Sequence, residues 1–347
     1  MVPTARFPAS HTGLVPAVSL PGGEPSTRRR APAAVARLPG GPGVYRFRDA
    51  RGAVLYVGRA TALRPRVASY WSDLGQRGHL APMVARVVRI EAVSCDSPHE
   101  AAWLERNLLE TSLPAWNRTA GGQESVVYIR LDERPSAPAL TVARRRQPAR
   151  QVRYFGPYLG GLRARQAVAA LNRVFPLAYT GTGLRGTQLG LARARRVGPA
   201  HREAFLRTLG AVLQRQPEAV ARVRGELEQL SRRAAESLAF EFAGRIHGEI
   251  SALDWVTGPQ RVTTMDVGDF DACGWSGGVL VRFGVRGGRL CHWSQRACAR
   301  SRAASPLAVT PAGWAGFAGR NAELAAALSG GGGCAAGRAG YLPGPEQ

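Results

Sequence analysis

The stretch that decides the fold is GVYRFRDARGAVLYVGRATALRPRV, residues 43–67. Two apolar-rich runs flank DARG, residues 49–52, whose composition suits a four-residue hairpin loop closed by Arg48 and Ala53. Carried along the strands, that register puts Tyr45 opposite Tyr56 on one face of a sheet. A cross-strand aromatic pair is ordinarily packing, but the next element adds chemistry to it. Thr61 can cap a helix on which Arg66 and Tyr70 stand four residues apart on one face. Two phenols and a guanidinium are therefore expected to converge.

A second half of the site is expected in SPHEAAWLERNLLETSL, residues 97–113. Ser97 and Glu100 fit a capping box, and Pro98 occupies the first helical position. On that helix Glu105 has Ala101, Ala102, Leu108 and Leu109 as its neighbours three and four residues away. A carboxylate on an apolar stripe costs several kcal/mol if it stays unpaired, so it needs a cation. Either one of the many arginines or a divalent metal fits, since magnesium is commonly held by one carboxylate, waters and a phosphate. Tyrosines, an arginine and a metal-binding carboxylate suit phosphodiester hydrolysis. A metal and an arginine would offset the charge of the transition state, and a phenol would activate water once nearby arginines lowered its ordinary value near 10.

Composition points to the substrate. The 347 residues carry 47 Lys plus Arg against 24 Asp plus Glu, a net charge of +23, and every one of the 47 is arginine. That excess favours a polyanionic partner, nucleic acid before membrane, and neither a phosphate-binding Gly-rich loop nor a lipid-binding signal is present. The run ARRRQPAR, residues 143–150, makes Arg144, Arg145 and Arg146 candidates for phosphate contact. Five scattered cysteines, Cys95, Cys273, Cys291, Cys298 and Cys334, form no CxxC pair and fit reduced thiols. With Pro16 and Pro21 breaking the first apolar stretch and no run of membrane-spanning length, a cytoplasmic location is expected.

The chain divides by composition. Residues 1–37 are expected to be a disordered basic arm, and residues 38–118 a compact α/β module of hairpin, helix, strand and helix. Residues 126–200 begin with the strand-like VVYIRL and continue into an apolar helix. Residues 201–257 are helical, with Val223, Leu227, Leu230, Ala234 and Leu238, then Phe242, Ile246, Ile250 and Leu253, at spacings of three and four; these predict a helical hairpin. Within residues 258–298, GGVLVRFGVRGGRL predicts a β-hairpin turning at Gly287–Gly288, and residues 299–347 fade into a low-complexity tail rich in Ala and Gly.

The blocks GVY, LYVGRATALRPRV, EAAWLERNLL and PAWN, in that order and spacing, resemble the GIY-YIG nuclease domain in the form found in UvrC, the incision subunit of the bacterial UvrABC excinuclease. Further blocks agree: RYFGPY followed by LNRVFPL, and AAESLAFEFAGRIHGEISAL, which is similar to the UVR motif by which this family contacts UvrB. The resemblance implies an α/β (α+β) fold with a small antiparallel sheet flanked by helices, then a mostly helical region with a UVR-like hairpin. It implies Tyr56 as general base, Tyr45 as the first-motif tyrosine, Gly58 as the second-motif glycine, Arg66 as the catalytic arginine and Tyr70 as an auxiliary phenol. Glu105 would hold Mg2+ or Mn2+, with Asn117 in support. Arg59 stands where the family usually has lysine. Phe240, Glu241 and Phe242 would face UvrB, although His247–Gly248 replaces the usual Arg-Asp of that motif.

Two departures shape the expectation. The family's four-cysteine cluster has no counterpart, since no cysteine lies between Cys95 and Cys273, so no iron–sulfur centre is expected. Residues 258–298 resemble the lead-in strands of a second, RNase H-like nuclease, as in short family members without that domain and the helix-hairpin-helix modules. The function implied is one metal-dependent incision, on the 3′ side of a lesion in DNA, with UvrB as a partner. The alternatives are a catalytically idle DNA- or UvrB-binding adaptor, and a structure-specific nuclease outside excision repair.

Overall fold

A computed structural model describes residues 32–72, 74–119 and 124–330. The first sheet is antiparallel in the order β2-β1-β3, from β1 (Gly43–Arg48), β2 (Val54–Ala60) and β3 (Arg89–Ser94). Helices α1 (Leu63–Ser72), α2 (Ala81–Arg86) and α3 (Pro98–Thr111) complete the module. Its hairpin turns differently from the expected register. Asp49 accepts at Oδ1 from the N–H groups of Arg51 and Ala53, which draws a fifth residue into the loop. A bulge between Phe47 and Arg48 then pairs Tyr45 with Gly58 and Phe47 with Tyr56. Tyr45 and Tyr56 remain on one face, as diagonal rather than direct neighbours. Thr61 does not cap α1: the carbonyls of Gly41 and Pro39 take the N–H groups of Leu63 and Arg64.

A second antiparallel sheet, ordered β5-β4-β6, comprises β4 (Val126–Asp132), β5 (Ala139–Ala143) and β6 (Val152–Leu159). One face carries Val127, Ile129, Leu131 and Phe155, all buried, against α4 (Gly161–Val174). The same core takes residues from α6 (Arg202–Leu213), α7 (Pro217–Glu236) and α8 (Phe240–Thr257), while the short α5 (Gly186–Ala194) buries only Ala192. Helices α7 and α8 form the expected hairpin through Val223, Leu227, Ile246, Ile250 and Leu253, but Leu238 falls outside the stripe. It sits in the turn at φ 60°, 74% exposed. The two units meet at His99, whose ring lies 4.2 Å from Trp255 and 5.8 Å from Tyr158, and whose Nε2 accepts from Leu159 N–H.

The third sheet, β7 (Phe270–Ser276), β8 (Val279–Arg286) and β9 (Arg289–Ala297), runs in sequence order and turns at Gly287–Gly288 as expected. Beyond β9 the chain departs from the low-complexity tail expected of its composition. Arg300–Ala308 forms α9 and Ala312–Ser329 forms α10. Phe317, Ala318, Ala322, Ala325 and Leu328 make a buried stripe at helical spacing, and their alanines carry too little hydropathy to announce it. Gly274 on β7 permits this packing, because a Cβ there would lie 2.0 Å from the Ala318 carbonyl oxygen. Asn321 pairs with the edge strand β3, accepting from Ser94 N–H at 2.7 Å and donating to its carbonyl at 3.2 Å. The third sheet and α10 thus share one core with β1, β3 and α3. The expected basic arm is also shorter: Ala33–Arg37 form a 3-10 turn with Val35 buried, while its first 31 residues, like those of the tail beyond 330, lie outside the described residues.

Candidate active site

The face of the first sheet that packs on α1 gathers the tyrosines, and α3 packs on the other face. Tyr45 and Tyr70 are buried, with hydroxyls 2.8 Å apart, and Tyr56 completes a triangle with ring centroids 6.2 Å from Tyr45 and 6.1 Å from Tyr70. Only Tyr56 of the three keeps partial exposure. Gly58 makes the triangle possible: a Cβ there would lie 2.6 Å from the Tyr45 hydroxyl and 2.7 Å from Cε1 of Tyr56. Asn117 fixes the strand between them, accepting from Val57 N–H at 2.9 Å and donating to Val57 O at 2.8 Å. Arg66 holds its guanidinium 5.9 Å from the Tyr70 ring, and Arg77 reaches the same ring at 4.8 Å. Arg77 comes from the GQRGHL turn, which carries no periodic or motif signal, and sequence reasoning missed it.

Glu105 projects from α3 beside β2. Its Oε1 accepts from Arg59 N–H at 3.1 Å, and Arg59 Nε lies 3.2 Å from its Oε2. The Arg59 guanidinium also bonds Glu124 at 2.9 Å, so one arginine bridges two carboxylates. Glu124 is a second residue the sequence did not flag, because it follows a Gly-rich break and meets Arg59 only in the fold. Glu100 caps α3 differently from a reciprocal box: Ser97 Oγ accepts from Glu100 N–H, while the Glu100 carboxylate accepts from the N–H groups of Asp96 and Arg261. It is fully buried and committed to those bonds.

The electrostatics correct one expectation. Burial raises the Tyr56 phenol well above its ordinary value, with Tyr70 and then Glu105 adding to the shift, and Arg66 does not reverse it. Tyr45 is raised in the same direction, by burial first and Tyr70 next. Burial also lifts the Glu105 carboxyl, against the opposing pull of Arg59. Glu105 is therefore a carboxylate short of positive charge, 22% exposed. Among the described residues no three His, Cys, Asp or Glu side chains converge. A divalent cation here would be held by the single Glu105 carboxylate with water and phosphate oxygens, which is the donor set magnesium accepts.

Residues 41–118 match the family model described as the UvrC-like GIY-YIG domain. The chain carries a UvrC-type GIY-YIG domain. Similarity extends past that domain: UvrABC system protein C of Symbiobacterium thermophilum is 33% identical over 270 residues, covering 73% of this chain and 42% of the relative. The Mycobacterium marinum protein of that name is 33% identical over 287 residues, 77% of this chain and 43% of its own. The chain thus spans less than half the length of these curated relatives. A solved structure, the magnesium-bound GIY-YIG N-terminal endonuclease domain of UvrC from Thermotoga maritima, aligns with 27% of this chain and all of itself at 25% identity, with a TM-score of 0.23.

The GIY-YIG domain brings together Tyr45, Tyr56, Gly58, Arg59, Arg66, Tyr70, Glu105 and Asn117. The other expected residues lie elsewhere. Arg144, Arg145 and Arg146 are exposed in the loop after β5. Phe240 is 65% exposed at the start of α8, beside the exposed Glu241. Phe242 is half-buried against the helical core, with Arg173 5.1 Å from its ring. Among the described residues no helix is long and apolar enough to cross a membrane.

Proposed function

We propose that this protein is a metal-dependent DNA endonuclease that hydrolyses one phosphodiester, corresponding to the 3′-incision half of UvrC-type nucleotide excision repair. The observation that carries the proposal is the gathering of three phenols and Arg66 on one face of the first sheet, with an under-compensated Glu105 beside them at the β2 edge. Bound Mg2+ or Mn2+ would supply positive charge that stabilises the phosphoryl group as it is attacked. Glu105 is the residue to hold it. Tyr56, the phenol with access to solvent, orients the attacking water and, once it has lost its own proton to solvent, takes the water's proton as phenolate; Tyr45 and Tyr70 fix the Tyr56 ring from behind. Burial opposes loss of the Tyr56 proton, so cleavage accelerates as pH rises from neutrality. Arg66 stabilises charge on the phosphoryl oxygens as a donor that stays protonated. Arg59 fixes the Glu105 carboxylate through its backbone N–H, while its guanidinium competes with a metal for the same carboxylate and cannot act as a proton donor. Asn117 and Gly58 hold the second strand in the shape the tyrosines need.

DNA enters against an arginine-rich surface, and UvrB docks at the tip of the α7–α8 hairpin. Support for the second contact is local: Leu238 and Phe240 leave two large apolar side chains in water at one turn. The adaptor alternative needs none of the tyrosine, arginine and glutamate geometry, which is intact. The test is nicking of an end-labelled lesion duplex with magnesium, with and without UvrB, by wild type, Tyr56→Phe and Glu105→Ala. Wild type cuts and both variants lose at least a hundredfold in rate; identical behaviour of all three overturns the proposal. Phe240→Ala abolishes UvrB capture while leaving UvrB-independent cutting intact.

A further inference from the structure

The second sheet has a face that the helical core does not use. Along β4, Val127, Ile129 and Leu131 point into the core, and Tyr128 and Arg130 alternate to the other side. Tyr154 on β6 stands opposite Arg130, so two tyrosines share that outer face. The loop after β5 folds over it. Arg144, Arg145, Arg146 and Pro148 line a cavity of about 660 Å³ together with Tyr128 and Tyr154. The loop is tied down: Gln147 N–H donates to the Tyr154 hydroxyl, which donates back to Gln147 O, both at 3.1 Å. The Arg146 guanidinium lies 5.6 Å from the Tyr128 ring. Arg130 and Arg134 share one partner, Asp132, whereas Arg144, Arg145 and Arg146 form no ion pair among the described residues.

We infer that this face is a binding platform for single-stranded DNA, with an unstacked base on Tyr128 or Tyr154 and the phosphates against Arg144, Arg145 and Arg146. Stacking faces beside unpaired guanidiniums are the combination that takes single strands, because every base has a π-face and the backbone is charged throughout. An intact duplex offers the phosphates but hides its base faces. The platform rests on the reading that the protein works on DNA, and deepens it: the duplex next to a lesion is bound where it is opened.

The test is fluorescence anisotropy in EDTA with a labelled thymidine 20-mer, a matching duplex and poly-glutamate as the competing polyanion. It is run on the full chain carrying Glu105→Gln, so that binding is read without cleavage. Tyr128→Ala with Tyr154→Ala weakens single-strand binding about tenfold or more, and duplex binding far less. Tyr128→Phe with Tyr154→Phe restores it. Arg144→Ala, Arg145→Ala and Arg146→Ala together flatten the salt slope for the single strand by about two. Circular dichroism confirms that each variant is folded. Equal single-strand affinity in the Tyr→Ala variant, equal losses on both DNA forms, or poly-glutamate binding with the same variant dependence each overturns the platform. Failure of the nuclease reading would show separately, as no metal-dependent nicking by wild type.

Discussion

Two glutamates of the GIY-YIG domain make the same kind of partnership and reach opposite ends. Glu91 on β3 is 1% exposed, contacts Arg46, and lies 2.8 Å from Arg48 and 3.2 Å from Arg89. Arg46 in turn lies 3.8 Å from the centroid of the Trp293 ring on β9 and donates to Trp293 O at 2.8 Å. Glu105 on α3 is 22% exposed and has one arginine, itself shared with Glu124. Both are Arg–Glu contacts, so contact type does not separate structure from function; the surplus or deficit of positive charge does. Around Glu91 the guanidiniums outnumber the carboxylate, and Arg46 faces another sheet. Around Glu105 one shared arginine supplies the positive charge, at a side chain that solvent reaches.

The largest effect that could break this contrast is at Glu91. Glu91→Ala leaves the buried Arg46 guanidinium without its anion, and urea unfolding should show a loss of about 3–5 kcal/mol. Burial already pulls Arg46 down to about 10 against the support of Glu91, and removing that carboxylate leaves the guanidinium only the Trp293 ring and carbonyl. Retained stability in Glu91→Ala would mean that the two carboxylates do not differ as described. Next is Gly58→Ala on the functional face. The added methyl meets the Tyr45 hydroxyl and the Tyr56 ring, so the cost is about 1–3 kcal/mol in unfolding and at least tenfold in nicking rate.

A third prediction uses pH. Burial among Tyr158, Trp255 and Trp103 lowers His99 to about 3, below the unfolded value of about 6.5. Between those values the unfolded chain binds the extra proton, so stability is lost as pH falls. One proton corresponds to about 1.4 kcal/mol per pH unit, hence about 2 kcal/mol between pH 6.5 and 5. His99→Gln should flatten that dependence by the same amount in urea titrations at the two pH values. The smallest effect is at Arg59. Its half-exposed pairs contribute within about 1 kcal/mol, so Arg59→Ala should unfold almost as wild type does. Calorimetry should instead show tighter Mg2+ binding, since a competitor for Glu105 has gone.

Much of this was legible in the chain. The alternation of the first hairpin and the start of α3 locate Tyr45, Tyr56, Arg66, Tyr70 and Glu105, because local periodicity places each on a known face. What local pattern does not carry is what the fold adds across distance. The bulge at Phe47 depends on how Asp49 folds the loop, and shifted the tyrosines from direct to diagonal neighbours. Arg46 meets Trp293, 247 positions away, and an arginine on a strand gives no sign of a distant indole. Helix α10 hid in alanines. The expected lowering of the Tyr56 phenol is reversed for a related reason: the many arginines of the sequence are mostly elsewhere, while burial and neighbouring phenols act at the site.

The most direct test of the contrast between the two glutamates is a single-turnover nicking assay on an end-labelled lesion duplex with saturating magnesium, comparing wild type with Glu105→Gln, alongside urea unfolding of both. Glu105→Gln should lose at least a hundredfold in rate while unfolding within about 1 kcal/mol of wild type. Wild-type nicking by Glu105→Gln would contradict the assignment of Glu105 as the metal-holding carboxylate, and with it the distinction drawn between the two glutamates.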